Sequence, residues 1–220
     1  MVWKILNFSL KEYDEKYYRI YERAWRVDLD RIPSFNLLKK FLDPHPGERV
    51  LDAGCGTGHL LRHLINGSGA IGYGIDFSKA ALKVATERYP MKRYMLMDTR
   101  DLAIQDKTFD KITCFNVIEH IAEQDRVMSE FKRILKKNGL LAIGTNIRDS
   151  IAWRLYQLFI GEHTHVREFS VEEFLAFLGR HFDVVTYRKS SGVFRFSPPI
   201  SWIFHYIFLG DIIVLCRNKA

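Results

Sequence analysis

Seven residues, Asp52-Ala53-Gly54-Cys55-Gly56-Thr57-Gly58, restrict this chain more than any other stretch. The short apolar run ERVLDAG (48–54) leads into them and reads as a buried strand. Thr57 to Asn66 follows with Leu60, Leu61, Leu64 and Ile65 at helical spacing. Glycines between a strand and a helix let the backbone turn sharply and admit a ligand without side-chain collision. A dinucleotide fingerprint of the form G-x-G-x-x-G needs glycine at 59 or 61, where this chain has His59 and Leu61. The spacing therefore disfavours a nicotinamide-dependent oxidoreductase.

Downstream, strand and helix signals alternate. AIGYGID (70–76), RYMLMD (93–98), FDKITCFN (109–116) and LLAIGTN (140–146) read as strands, and segments 182–188 and 211–217 as the last two. Ser78 opens a helix that buries Ala81, Leu82 and Ala85. A long helix is expected after Asn116, with Ile118, Ile121, Met128, Phe131 and Leu135 on one face and a stop at Lys136-Lys137-Asn138-Gly139. Further helices are expected over 149–160 and 170–179, the latter opened by a capping box of Ser170 and Glu173. The pattern predicts an α/β fold, a doubly wound and mostly parallel seven-stranded sheet. Residues 1–46 read as an N-terminal helical cap, bounded by the punctuation DPHPGE, and 47–220 as the core with insertions near 147–169 and 193–209.

Composition narrows the function classes. With 47% hydrophobic and 27% charged residues, the 220-residue chain has the balance of a globular protein. Its net charge of +7 is dispersed among acids, and basic and aromatic residues form no stripe, so no nucleic-acid partner is expected. Cys55, Cys114 and Cys216 show no zinc or disulfide spacing, and no leader precedes them, which fits a reduced cytoplasmic protein. The apolar stretch 200–209 is shorter than the ~20 residues that cross a bilayer.

Two acids mark the ends of the next strands. Asp76 lies 22 residues after Gly54, where a carboxylate can accept from ribose hydroxyls, and it also precedes a helix that it can cap. Asp98 can accept from an adenine amino group or simply shape a turn.

Together these segments resemble the class I S-adenosylmethionine-dependent methyltransferases. VLDAGCGTG (50–58), YGIDFS (73–78), MDTRDL (97–102), FDKITCFNVIEHI (109–121) and LKKNGLLAIGTN (135–146) are similar to five of their motifs, in order. The resemblance implies a Rossmann-like methyltransferase fold with S-adenosyl-L-methionine as cofactor. It places Gly54, Gly56 and Gly58 along the methionine portion, Asp76 at the ribose, Asp98 at the adenine and Asn116 near the sulfonium, with Asp52, Cys55, Phe77 and Thr99 as further cofactor-binding residues.

Within the class, Ile118-Glu119-His120 and HTHVREFSVEEFLAF (163–177) are similar to the ubiquinone and menaquinone methyltransferase branch. In that branch an E-x-x-E-H segment binds a divalent metal, but here Asn116 stands at its first position and removes a charged ligand. The expected reaction is methyl transfer to O, N or C of a small acceptor of lipophilic or aromatic character. His165, His120 and His163 are the candidate bases, His165 first. Tyr13, Tyr17, Tyr18, Tyr21 and Trp25, and the aromatics of 193–209, can wall an acceptor pocket or cover the sheet edge. Beside Arg188, Lys189 and Arg195, the second group can also meet a membrane surface. A non-catalytic cofactor-binding sensor or scaffold shares every one of these cofactor features.

Overall fold

A computed structural model describes residues 32–90, 93–148, 166–191 and 210–219. The parallel part of its sheet comprises β1 (Arg49–Ala53), β2 (Ile71–Asp76), β3 (Tyr94–Leu96), β4 (Phe109–Phe115) and β5 (Leu135–Asn146). Two strands complete it, β6 (Asp183–Ser191) and β7 (Gly210–Arg217), with β7 antiparallel to both β5 and β6. The spatial order is β3-β2-β1-β4-β5-β7-β6, as expected for a mostly parallel seven-stranded sheet. Strand order reverses between β1 and β4, which opens a crevice at the carboxyl ends where ligands of such sheets bind.

Alternating residues feed two layers. Leu51, Ile112 and Ile212 face Phe131 and Phe174, carried by α4 (Gln124–Ile134) and α5 (Val171–Gly179). Their chain neighbours Val50 and Ile213 face Phe35, Leu38, Leu60 and Leu64, carried by α1 (Pro33–Leu42) and α2 (His59–Ile65). This period of two, apolar on both faces, is what lets helices cover both sides. Helix α3 (Lys79–Arg88) starts where the Ser78 hydroxyl accepts the Ala81 N–H, and it buries Ala81, Leu82 and Ala85 as expected. The Ser170–Glu173 capping box of α5 is also present.

The long helix after Asn116 is corrected. Residues Ile118–His120 form one 3-10 turn, Ile121 is extended, and only Gln124–Ile134 is α-helical. At 3.6 residues per turn, Ile118 in a continuous helix would lie opposite Val127, Phe131 and Ile134 and about 80° from Met128. All five are fully buried, so the chain must break to bring them to one core. The glycine stop is corrected too. Asn138, at φ 62°, takes the left-handed turn, while Gly139 sits in β5 because a Cβ there would lie 2.9 Å from the Lys136 carbonyl. The expected helices before residue 32 and over 149–160 lie outside the described residues.

Candidate functional site

The glycine loop hangs on β2. Amides of Gly54 and Cys55 both donate to the Ile75 carbonyl, at 2.8 and 2.9 Å, so the loop folds over the end of the neighbouring strand. Its glycines serve different ends. A Cβ on Gly54 would lie 2.3 Å from Val117 Cγ2, and one on Gly58 would lie 2.5 Å from the Tyr94 hydroxyl. Those two admit packing partners. Gly56, at φ 50°, has open space within 4 Å of its would-be Cβ. It is the point at which a ligand can approach bare backbone.

Beneath the loop lie acids. Asp52 is buried and one oxygen accepts the Leu61 N–H in the first turn of α2, a helix whose N-cap is glycine. Its Oδ2 has no hydrogen-bond partner among the described residues. Burial, and then the charge of Asp76, push its carboxyl up to about 8. Asp76 is 5% exposed and accepts the Gly56 amide on Oδ2 and the Ser78 amide on Oδ1, each at 2.8 Å. Next to it Phe77 stands 70% exposed, directly after the end of β2. The Cys55 thiol points inward, 2.8 Å from where a Gly74 Cβ would be, and burial pushes its pKa well above the usual thiol range. Only the main chain of Cys55 belongs to the loop surface.

The third strand joins the same edge. Met97 donates its N–H to the Asp76 carbonyl at 3.1 Å, which brings Asp98 and the buried Thr99 beside the end of β2. Asp98 is bound by Arg100, whose Nη2 donates across 2.6 Å. Sequence reasoning did not single out Arg100.

On the far side of β1, Asn116 takes φ 53° as β4 ends, and its amide donates to the Gly144 carbonyl at 3.0 Å. Its Oδ1 is buried without a partner among the described residues. Glu119 is buried, and its carbonyl accepts the amides of Val166 and Arg167 at 2.9 and 3.1 Å. That contact docks the end of the HTHVRE motif onto the β4 exit. His120 is exposed there; His163 and His165 lie outside the described residues, as does 193–209. Among the described residues no three His, Cys, Asp or Glu side chains gather into a metal-holding group.

Asp211 was also missed, although an acid opening the apolar run GDIIVL is a signal of burial against a partner. It accepts the Ser34 hydroxyl on Oδ2 at 2.7 Å, and burial pushes it up to about 7.

These residues fit an adenosyl ligand: an open glycine, a buried carboxylate at the second strand end, an exposed aromatic ring and an acidic third strand end stand at the carboxyl ends of neighbouring strands. The family profile described as "Methyltransferase domain" matches residues 51–143. The ubiquinone biosynthesis O-methyltransferase of Pasteurella multocida is 32% identical over 124 residues, half of each chain. That of Chromobacterium violaceum is 29% identical over 153 residues, 64% of this chain and 65% of the relative. The chain thus spans about half to two thirds of the length of these curated relatives.

Among solved structures, the [4+2]-cyclase SpnF superposes with a TM-score of 0.73 at 18% identity, covering 96% of this chain and 95% of that one. Geranyl diphosphate C-methyltransferase from Streptomyces coelicolor, solved with S-adenosyl-L-homocysteine, gives 0.68 at 14% identity over 84% and 79%. Sheet order and family profile agree: residues 51–143 match a methyltransferase domain, carried on a sheet of the order β3-β2-β1-β4-β5-β7-β6.

Proposed function

We propose that this chain transfers a methyl group from S-adenosylmethionine to an oxygen, nitrogen or carbon atom of a small acceptor, lipophilic or aromatic in character. The observation that carries the reading is the Gly56–Asp76 bond, which sets an open backbone position and a buried carboxylate side by side at the switch point of the sheet. The names of the matching relatives support the acceptor class.

Bound sulfonium supplies an already activated methyl group, so the protein's task is alignment and exclusion of water. Gly54, Gly56 and Gly58, with the main chain of Cys55, hold the methionine portion. Asp76 and Phe77 hold the ribose, Asp98 and Thr99 the purine, Asn116 lies toward the reacting end, and Asp52 supports the loop from beneath. His165, His120 and His163 remain our candidates to take the proton of a hydroxyl or amine acceptor. We place the acceptor side in 1–46, 147–169 and 193–209, the last doubling as a peripheral membrane contact, and the protein in the cytoplasm. The buried, free Cys55, Cys114 and Cys216 support that location. No helix among the described residues is long and apolar enough to cross a membrane.

A second reading is cofactor binding without methyl transfer, since the same fold is also found in the [4+2]-cyclase SpnF. Calorimetric titration with S-adenosylmethionine, S-adenosylhomocysteine and NADH, followed by a methyl-transfer screen of phenols and amines, separates the readings. Binding of both adenosyl ligands with turnover supports the enzyme. Binding with no turnover supports the second reading, and NADH binding alone removes both.

A further inference from the structure

The carboxylate that closes β3 is held by one side chain. Arg100 donates its main-chain N–H to Asp98 Oδ1 at 2.9 Å. Its Nε lies 3.0 Å from both Asp98 oxygens, and its Nη2 donates to Oδ2 at 2.6 Å. The remaining edge of the guanidinium reaches back, with Nη1 2.7 Å from Glu123 Oε2 just before α4. Arg126, from α4, stands 3.7 Å from Glu123 and 4.0 Å from Asp101. The planar fork is therefore fixed at both ends.

A carboxylate offers about four acceptor positions. Arg100 fills three of them with three N–H groups, leaving about one. The same fork holds Asp98 below the usual carboxylate range, so it accepts and does not donate. The Met97–Asp76 hydrogen bond keeps this acid beside the end of β2.

We propose that Arg100 is a positioning residue that presents Asp98 as a fixed, single-position acceptor for the exocyclic amino group of the cofactor's purine, so that the site selects adenine over a 6-oxo purine. This rests on the adenosyl reading of the crevice. A 6-oxo purine brings an acceptor oxygen where adenine brings a donor, and an acceptor facing an anionic acceptor is left unpaired. Lysine at position 100 would supply the charge without the fork, and so would not fix the carboxylate plane.

Competitive titration of the intact protein with S-adenosylhomocysteine and S-inosylhomocysteine tests this. The wild type is expected to prefer the adenosyl ligand by about 100-fold, the span of one hydrogen bond to a charged group. Arg100→Gln should lower that ratio about tenfold and Asp98→Asn should bring it near one; Arg100→Lys should fall between wild type and Arg100→Gln. Glu123→Gln, which leaves the fork on Asp98 in place, should keep the wild-type ratio. Both partners are 42% exposed, so loss of the pair leaves the fold standing. A wild type that binds neither ligand removes the adenosyl reading itself. A wild type that binds S-adenosylhomocysteine without preference, or an Arg100→Gln protein that keeps the full ratio, overturns the role of Arg100 alone.

Discussion

The Gly56 amide and Oδ2 of Asp76 are joined by a 2.8 Å hydrogen bond, and Oδ1 of the same carboxylate takes the Ser78 amide at 2.8 Å. One side chain thus ties the loop after β1 to the cap of α3. Asp76→Ala removes both anchors along with the acceptor offered to the ribose. Cofactor affinity should fall by about 2–3 kcal/mol, roughly 30- to 150-fold. Calorimetric titration checks this, and an unchanged affinity would refute the assignment.

The loop glycines should fail differently when substituted. Gly54→Ala drives a methyl into Val117, with 2.3 Å to its Cγ2, and should cost about 1–3 kcal/mol of stability. Trimming the neighbour with Val117→Ala should return part of that loss, the sign of a shared contact. Gly56→Ala meets no atom and carries only the left-handed backbone strain of about 1–2 kcal/mol. Gly56→Val should stay folded and bind no cofactor. Thermal melts alongside titration distinguish the two positions, and cofactor binding by Gly56→Val would move the site elsewhere.

Stability should decline as the solution becomes alkaline. Burial raises Asp52 to about 8 and Asp211 to about 7, from ordinary values of 3.8. Between those limits the folded chain keeps protons that the unfolded chain has lost, so folding weakens as pH rises. The contribution is complete below pH 4 and gone once pH passes through about 7 and 8. Asp98, Asp110 and Glu130 are lowered instead, and their stabilisation is lost only in more acid solution, as pH falls through their lowered values. Melting temperatures from pH 5 to 9 should therefore slope downward, and Asp52→Asn should flatten the upper part. Parallel slopes in the two proteins would contradict this.

Ser34→Ala should loosen the first turn of α1 from the sheet. Its hydroxyl donates to Asp211 and lies 3.1 Å from the Ser190 hydroxyl, all three being buried. Removing it leaves a buried carboxyl without that donor, at a cost of about 1–3 kcal/mol. Denaturant unfolding at neutral pH measures the loss, and a midpoint within error of wild type would show that the contact carries no weight.

What could be read from residues alone was what is local. The β1–loop–α2 unit, the caps at Ser78 and Ser170 and the acids at 76 and 98 announce themselves within a few positions of their partners. Phase errors arose where tertiary packing decided the outcome. Ile118 looked like part of one apolar helix face, yet its burial requires the break at Ile121. Asn138 took the turn that Gly139 was expected to make because Gly139 was needed against the Lys136 and Asp110 carbonyls. The hold of Arg100 on Asp98 was only two residues away, but a carboxylate and a guanidinium that close together are common on solvated surfaces. Ser34 and Asp211, 177 positions apart, left no trace that periodicity could register.

The insertion of β7 between β5 and β6 also sets an order of events during synthesis. While the ribosome is still making residues 210–217, β6 has no hydrogen-bonding strand neighbour among the described residues and β5 shows an open edge of Leu141, Ala142 and Ile143. The nascent chain must carry both unfinished edges until β7 emerges, so β6 can join the sheet only after β7 has been made, and a chaperone that shields strand edges has its longest opportunity at that point.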